Sequence, residues 1–388
     1  MFEEYWVKDL LLLLAVAGIV VPLFGWFRVG VVPGFLIAGV LLGPAGLGRV
    51  AADYSWLEPF VFLTPERVEP FADLGVLFLL FLIGLEFSLK RLWSMRTLVL
   101  GFGSLQFFVV ALLILAGLMI VGAGFDDALV VGLALALSST AIVTQVLIEA
   151  KRFGGPVGRV SLGILLFQDL MVVPIVIVIG VLARENVAVH GAILEAALVA
   201  VAALTVILIA GRYLVGPLLR LAAMTGSREL IVATALFLAI GTAFLTAEVG
   251  LSPALGAFLA GILLTESEYR HQLGVDIEPF KGLLLGLFFV TVGMSLEVAL
   301  FVEMPVTFLG AVVALLVVNI LVIYFGARFF GFPVPVAIEV AFVLAGAGEF
   351  AFVAFQLAEN DNLFEPSFHE FVVSVAALSM IAIPILAF

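Results

Sequence analysis

The sequence predicts an all-α polytopic membrane protein with about thirteen transmembrane helices, organised as an inverted repeat. Three observations lead there. Apolar stretches long enough to cross a bilayer recur along nearly the whole chain. Basic residues sort into alternate loops. A short glycine-bearing motif in the second segment returns in the ninth.

Of the 388 residues, 64% are hydrophobic and 12% charged, for a mean hydropathy of +1.33. A soluble core of this size needs far less apolar sequence, so a soluble protein is excluded. A hydrocarbon layer of about 30 Å takes roughly 20 apolar residues per helix. Segments of that kind run near 10–27, 31–47, 71–89, 98–122, 128–148, 160–182, 192–219, 229–248, 250–265, 282–296, 306–327, 336–357 and 371–388. The first lacks the basic start and small-residue cleavage site of a signal peptide, so it reads as a true helix. Without Cys there is no disulfide framework and no thiolate metal site. His190, His271 and His369 are scattered through predicted loops and helix ends, so no zinc site is expected.

The formal net charge is −12, and its distribution is sorted. Acids gather in one alternate set of loops: Asp53, Glu58, Glu66 and Glu69; Asp126 and Asp127; Glu359, Asp361, Glu365 and Glu370. Bases gather in the other set: Arg28; Lys90, Arg91 and Arg96; Lys151, Arg152 and Arg159; Arg212, Arg220 and Arg228; Arg270 and Lys281; Arg328. Of the 17 Lys and Arg residues, only Lys8, Arg49, Arg67 and Arg184 fall on the opposite side. Cytoplasmic loops carry the basic excess, so the N-terminus is expected outside and the C-terminus in the cytoplasm. One missed helix would scramble every later loop, so the sorting also supports the count.

Gly34-Phe-Leu-Ile-Ala-Gly-Val-Leu-Leu42 matches Gly256-Ala-Phe-Leu-Ala-Gly-Ile-Leu-Leu264 at five of nine positions. One segment later, Phe81-Leu-Ile-Gly-Leu85 echoes Phe289-Val-Thr-Val-Gly-Met294. The offset of seven segments is odd, so the copies cross the membrane in opposite directions. Inverted repeats are a hallmark of secondary transporters. We therefore expect one transmembrane domain over 1–388, with a first repeat at 10–182, a linker helix at 192–219 and a second repeat at 229–388.

Asp169 lies in the apolar run from Val160 to Val181. A carboxylate at mid-membrane costs roughly 2.5–3.5 kcal/mol on insertion scales, and such groups mark ion and proton pathways. No Lys or Arg lies within the apolar part of any segment to serve as a structural partner. Desolvation favours the protonated form of a carboxyl group. One carboxyl can thus hold a proton in one state and a cation in another, the minimal mechanism of exchange. A single such group predicts one proton per monovalent ion and little net charge movement. Gln168 adds amide contacts without a second charge.

The fifth segment places Ser138, Ser139 and Thr140 consecutively at mid-membrane. Hydroxyls can satisfy backbone groups where a helix is broken, and their oxygens suit alkali cations. The twelfth segment reads Ala345-Gly-Ala-Gly-Glu-Phe350, with glycines and an acid at similar depth. Two interrupted helices at corresponding positions point to a transport site. Small residues also serve close helix packing. Glu349 suits either a structural partner or a second site residue, and Glu86 with Lys90 suits an interfacial i,i+4 pair.

Ser138-Ser-Thr-Ala-Ile142 followed by Leu165-Leu-Phe-Gln-Asp169 resembles the Kef-type branch of the monovalent cation:proton antiporters. Gly39-Val-Leu-Leu-Gly-Pro-Ala-Gly-Leu47, Phe81-Leu-Ile-Gly-Leu-Glu86, Ser267-Glu-Tyr-Arg-His271, Asp276-Ile-Glu-Pro-Phe-Lys-Gly-Leu-Leu-Leu-Gly-Leu-Phe-Phe289 and Gly348-Glu-Phe-Ala-Phe352 carry the same resemblance. It covers essentially all of the chain and is similar to the membrane domain of glutathione-gated potassium efflux proteins. The resemblance implies a sodium/proton-antiporter-like fold, a homodimer, and crossed discontinuous helices at the fifth and twelfth segments. It also implies Asp169 as the ion and proton carrier, Gln168 as its neighbour, and Ser138, Ser139 and Thr140 as the crossing region. Gly348 and Glu349 fall in the matching motif of the twelfth segment.

Three departures accompany it. The family commonly carries a basic residue in the eleventh segment, where this chain has Asn319. The stretch His271-Gln-Leu-Gly-Val-Asp-Ile-Glu-Pro279 resembles the family's regulatory loop, with His271, Asp276 and Glu278 as its polar members, but Gly274 stands where an acid is usual. The same stretch also suits an ordinary solvated acidic turn. A cytoplasmic nucleotide-binding domain that senses glutathione is expected beyond residue 388. The expected activity is K+/H+ antiport and potassium efflux in the inner membrane. Na+/H+ antiport and a ligand-gated, channel-like K+ conduit are the alternatives. No enzymatic role is expected, and no cofactor within the membrane domain. Nucleotide and glutathione would belong to the regulatory domain. Expected partners are a second copy, membrane lipids, the regulatory domain and an ancillary subunit, with no nucleic acid.

Overall fold

A computed structural model of the chain describes residues 8, 11–20, 22–23, 31–44, 46–51, 54, 61, 69–86, 93–183, 205, 209, 211, 213–248, 253–265, 267–294, 296, 303–361 and 363–386. A third of the first predicted segment, most of the 192–219 linker, His190 and the side chain of Glu278 lie outside the described residues.

The described elements are helical. They are α1 (Val31–Leu42), α2 (Leu47–Ala51), α3 (Glu69–Glu86), α4 (Ser104–Ile120), α5 (Phe125–Leu135), α6 (Thr140–Glu149) and α7 (Pro156–Leu182). There follow α8 (Tyr213–Ala223), α9 (Arg228–Glu248), α10 (Pro253–Thr265), α11 (Arg270–Met294), α12 (Pro305–Phe329), α13 (Val334–Val343), α14 (Glu349–Asn360) and α15 (Pro366–Leu386). There are also two π-helical stretches, Val16–Val20 and Thr97–Gly103, the second running directly into α4. Among the described residues, seven spans are long and apolar enough to cross a membrane, or eight with α11 counted as one bent span. The chain is a multi-pass membrane protein.

Two features of the helix limits concern function. The twelfth segment, expected to be interrupted, is two helices, α13 and α14, with residues 344–348 non-helical between them. The stretch expected as a regulatory loop is helical and forms the start of α11. That helix bends by 47° between Arg270–Ile277 and Gly282–Met294. Pro279 falls at the bend, where it removes a backbone donor from the helical ladder.

The chain divides into two compact units. Unit 1 holds Met1–Glu69, Arg91–Ile175 and Phe289–Phe388; unit 2 holds Pro70–Lys90 and Val176–Phe288. Each unit therefore draws on both halves of the sequence.

In unit 2, small residues let helix backbones approach. Ala235, Ala239 and Ala243 recur every fourth residue along α9 and belong to one buried cluster with Ala257 and Ala260 of α10. A Cβ on Gly84 of α3 would collide with the Phe258 carbonyl and lie 3.0 Å from the Gly261 Cα. A Cβ on Gly261 would meet the Phe81 carbonyl and the Gly84 Cα in return. Close approach of this kind is how helices associate where lipid removes the hydrophobic drive. Thr265 Oγ1 fastens the contact by donating to the Gly84 carbonyl at 2.9 Å.

Unit 1 repeats the arrangement. A Cβ on Gly39 of α1 would collide with the Val290 carbonyl and lie 2.9 Å from the Gly293 Cα. One on Gly293 would meet the Leu36 carbonyl and the Gly39 Cα. The rest of unit 1 positions the polar site. Its hydrophobic core includes Phe102, Phe107, Phe289, Phe352 and Phe355, all fully buried.

Candidate functional site

The site forms where two helices are interrupted. α5 stops at Leu135, and Ala136–Ser139 run non-helically before α6 begins at Thr140. α13 stops at Val343, and 344–348 separate it from α14. Each break frees backbone groups that a continuous helix would have paired, and in a membrane each must find another partner.

Three adjacent hydroxyls meet that demand in different ways. Ser138 Oγ donates to the Leu344 carbonyl at 2.9 Å, tying one break to the other. Ser139 has extended backbone angles and caps α6, its Oγ accepting from the Ile142 N–H at 3.2 Å. Thr140 Oγ1 donates to Asp169 Oδ1 at 3.3 Å. Of the three, Thr140 holds the carboxylate, while Ser138 and Ser139 hold backbone.

Gln168 of α7 also turns to backbone. Its Oε1 accepts from the Ser138 N–H at 2.9 Å. Its Nε2 donates to the Ala136 carbonyl at 3.1 Å and to Gln106 Oε1 at 2.9 Å. Gln106 of α4 in turn donates from Nε2 to the Ala136 carbonyl at 3.3 Å. Both glutamines are buried. At the second break, the Ala347 N–H donates to Ser379 Oγ of α15 at 3.0 Å, and that hydroxyl donates to the Ala376 carbonyl.

Gly348 permits the breaks to touch. A Cβ there would lie 2.6 Å from the carbonyl carbon of Ser138 and 3.0 Å from the Ser139 nitrogen. Gly348 precedes α14, so Glu349 occupies its first turn, buried, with Oε2 lacking a hydrogen-bond partner among the described residues. The N-terminal end of a helix carries about half a positive charge. Asp169 contacts the first residue of α6 and Glu349 is the first residue of α14, so each half-helix end has a carboxyl group beside it. Asp169 is half-buried, whereas Gln168 and Ser139 are closed off. A part-accessible carboxyl at a positive helix end, with a hydroxyl oxygen beside it, can take a proton or a small cation.

Asn319 is buried on α12, and its Nδ2 donates to the Leu315 carbonyl of its own helix at 3.1 Å. Its Oδ1 has no hydrogen-bond partner among the described residues. In unit 2, His271 is exposed and Asp276 Oδ1 accepts from Arg228 Nη2 at 2.9 Å. Asp276 therefore ties α11 to the start of α9. Among the described residues no group of three or more His, Cys, Asp or Glu could hold a metal ion.

Sequence reasoning does not single out Gln106 or Ser379. Each is a polar residue in a mostly apolar segment, which is the available signal. What each one pairs with depends on helices distant in the chain.

Residues 11–388 match the family described as sodium/hydrogen exchanger, transmembrane. The chain is 42% identical over 384 residues to the glutathione-regulated potassium-efflux system protein KefC of Salmonella typhi, and equally to that of Salmonella newport (strain SL254). These alignments cover 99% of this chain and 60% of each relative, so the chain spans less than two thirds of their length. The sodium proton antiporter MjNhaP1 from Methanocaldococcus jannaschii has a similar structure, with TM-score 0.69 and 16% identity. That match covers 99% of this chain and 96% of the other, and it shows a shared fold.

Proposed function

Because the chain belongs to the transmembrane sodium/hydrogen exchanger family, we propose that it is a secondary transporter exchanging K+ for H+ across the inner membrane by alternating access. The observation that carries this reading is the pairing of Asp169 with Thr140 at the start of a half-helix. Proton and cation compete for the Asp169 carboxylate, and each must leave before the other binds. Thr140 supplies a neighbouring oxygen. Gln168, Ser138 and Ser139 shape the break, because their polar atoms are engaged with backbone.

The choice of K+ rests on the potassium-efflux relatives at 42% identity. Na+ is the second reading, favoured by the family to which residues 11–388 belong. Control by glutathione, through a regulatory domain, is part of the same reading, suggested by the name of relatives that extend beyond the matched stretch. The N-terminus lies outside, and the protein works as a homodimer.

The inverted repeat gains support from the glycine contacts. Gly39 aligns with Gly261 in the sequence echo, and Gly84 corresponds to Gly293. The contacts are Gly39 with Gly293 and Gly261 with Gly84. Exchange of the two repeats turns one contact into the other, as a two-fold relation between repeats requires. The breaks between α5 and α6 and between α13 and α14 are then counterparts, crossing at Ser138 and Gly348.

Asp169→Asn in proteoliposomes tests the function. The variant is expected to fold and to lose cation-driven proton movement. Proton movement that persists on a cation gradient overturns antiport at Asp169 and leaves a channel-like conduit as the better account.

A further inference from the structure

We infer that Gln106 is a positioning residue for the transport site, acting through Gln168 on the break between α5 and α6. This rests on the proposed exchange at Asp169.

The Ser138 N–H can only donate, and it donates to Gln168 Oε1. The other end of Gln168 is therefore Nε2, which needs acceptors and finds the Ala136 carbonyl and Gln106 Oε1. That assignment leaves Gln106 Nε2 as a donor, and it also reaches the Ala136 carbonyl. One backbone amide thus orients two side chains in series. The pair grips the break at both ends, at Ala136 and at Ser138, two residues before the Thr140 that holds Asp169.

Gln106 is itself held rigidly. The π-helical stretch before α4 ends at Gly103, where a Cβ would lie 2.6 Å from the Cβ of Phe167. Phe107 meets Phe167 edge-on, with ring centroids 6.0 Å apart. Gly103 and Phe107 thus pin α4 to the residue before Gln168, with Gln106 between them. Gln106 has no exposed surface, so water cannot replace its amide. A buried amide pair whose oxygens and nitrogens are all engaged favours one geometry, and losing one member frees the other.

The test is Gln106→Met, which keeps length and apolar packing but removes the amide. Gln168 retains Ala136 and Ser138 but loses its outer anchor, so Thr140 is less firmly placed against Asp169. In proteoliposomes the cation concentration for half-maximal exchange is expected to rise about fivefold, the effect of one lost hydrogen bond. The pH profile should shift with it, and the melting temperature in detergent should change little. Gln168→Met should produce a similar shift, and the double variant should be no worse than Gln168→Met. Amide hydrogen exchange over residues 136–140 should accelerate in Gln106→Met. Unchanged half-saturation and pH profile in a folded variant, or additive effects in the double variant, overturn the inference. If Gln106→Met does not fold, Gln106→Asn carries the same test, because it withdraws the amide by one methylene. Wild-type protein without cation-driven proton movement would instead overturn the exchange reading. Hydrogen exchange at the break still reports on the clamp in that case.

Discussion

Ser138 donates its hydroxyl to the carbonyl of Leu344 across 2.9 Å, although 206 residues separate them in the chain. This bond joins the two helix breaks directly. It satisfies a carbonyl that the end of α13 leaves without a helical donor.

Ser138→Ala should therefore destabilise the protein by about 1–3 kcal/mol, the cost of leaving a buried acceptor unsatisfied. Exchange should fall as well, since the breaks lose their link. A thermal melt in detergent and a proteoliposome assay check this together. A melt like that of the wild-type protein would mean the Leu344 carbonyl finds another donor.

Gly261→Ala forces a methyl group against the Phe81 carbonyl and the Gly84 Cα. Both are backbone, so no side chain can swing away. A loss of about 1–3 kcal/mol or more is expected from overpacking. Gly241→Ala is the control, because a Cβ there meets nothing within 4 Å. The two melting temperatures should differ clearly. Equal stability would show that α3 and α10 do not pack as described.

Asn319→Leu removes an amide whose oxygen has no hydrogen-bond partner among the described residues. Replacing a poorly satisfied buried amide by an apolar group of similar size is expected to be nearly neutral, within about 1 kcal/mol. Exchange should continue. Loss of exchange without loss of fold would place Asn319 in the transport step.

In the proposed exchange, the one carboxyl of Asp169 carries one proton or one monovalent cation per half-cycle, so turnover should move little net charge. Imposing a membrane potential on proteoliposomes should leave the exchange rate unaltered. A strong voltage response would bring a second titrating group into the cycle, and Glu349 is the first to examine by Glu349→Gln.

The apolar segments, the acid at 169 and the twin glycine motifs are legible because each is a local pattern. Hydropathy over a bilayer length needs no knowledge of neighbours. The separate roles of Ser138, Ser139 and Thr140 were not legible, since three adjacent hydroxyls look alike in sequence. The His271–Pro279 stretch was expected as a loop, yet it begins α11, because a polar run can form helix when tertiary contacts such as Arg228 with Asp276 hold it. Gln106 stood out only as an amide among Phe and Leu.

The order of residues was enough to place this chain in a membrane and to single out Asp169, because burying apolar length and isolating a charge are properties of a segment. Folding assigned the partners. It gave Ser138 the Leu344 carbonyl, Gln168 the backbone of Ala136 and Ser138, and Thr140 the Asp169 carboxylate. Each hydrogen bond depends on which unsatisfied group another helix brings within about 3 Å. That distance is set by packing across hundreds of residues, and no local pattern encodes it.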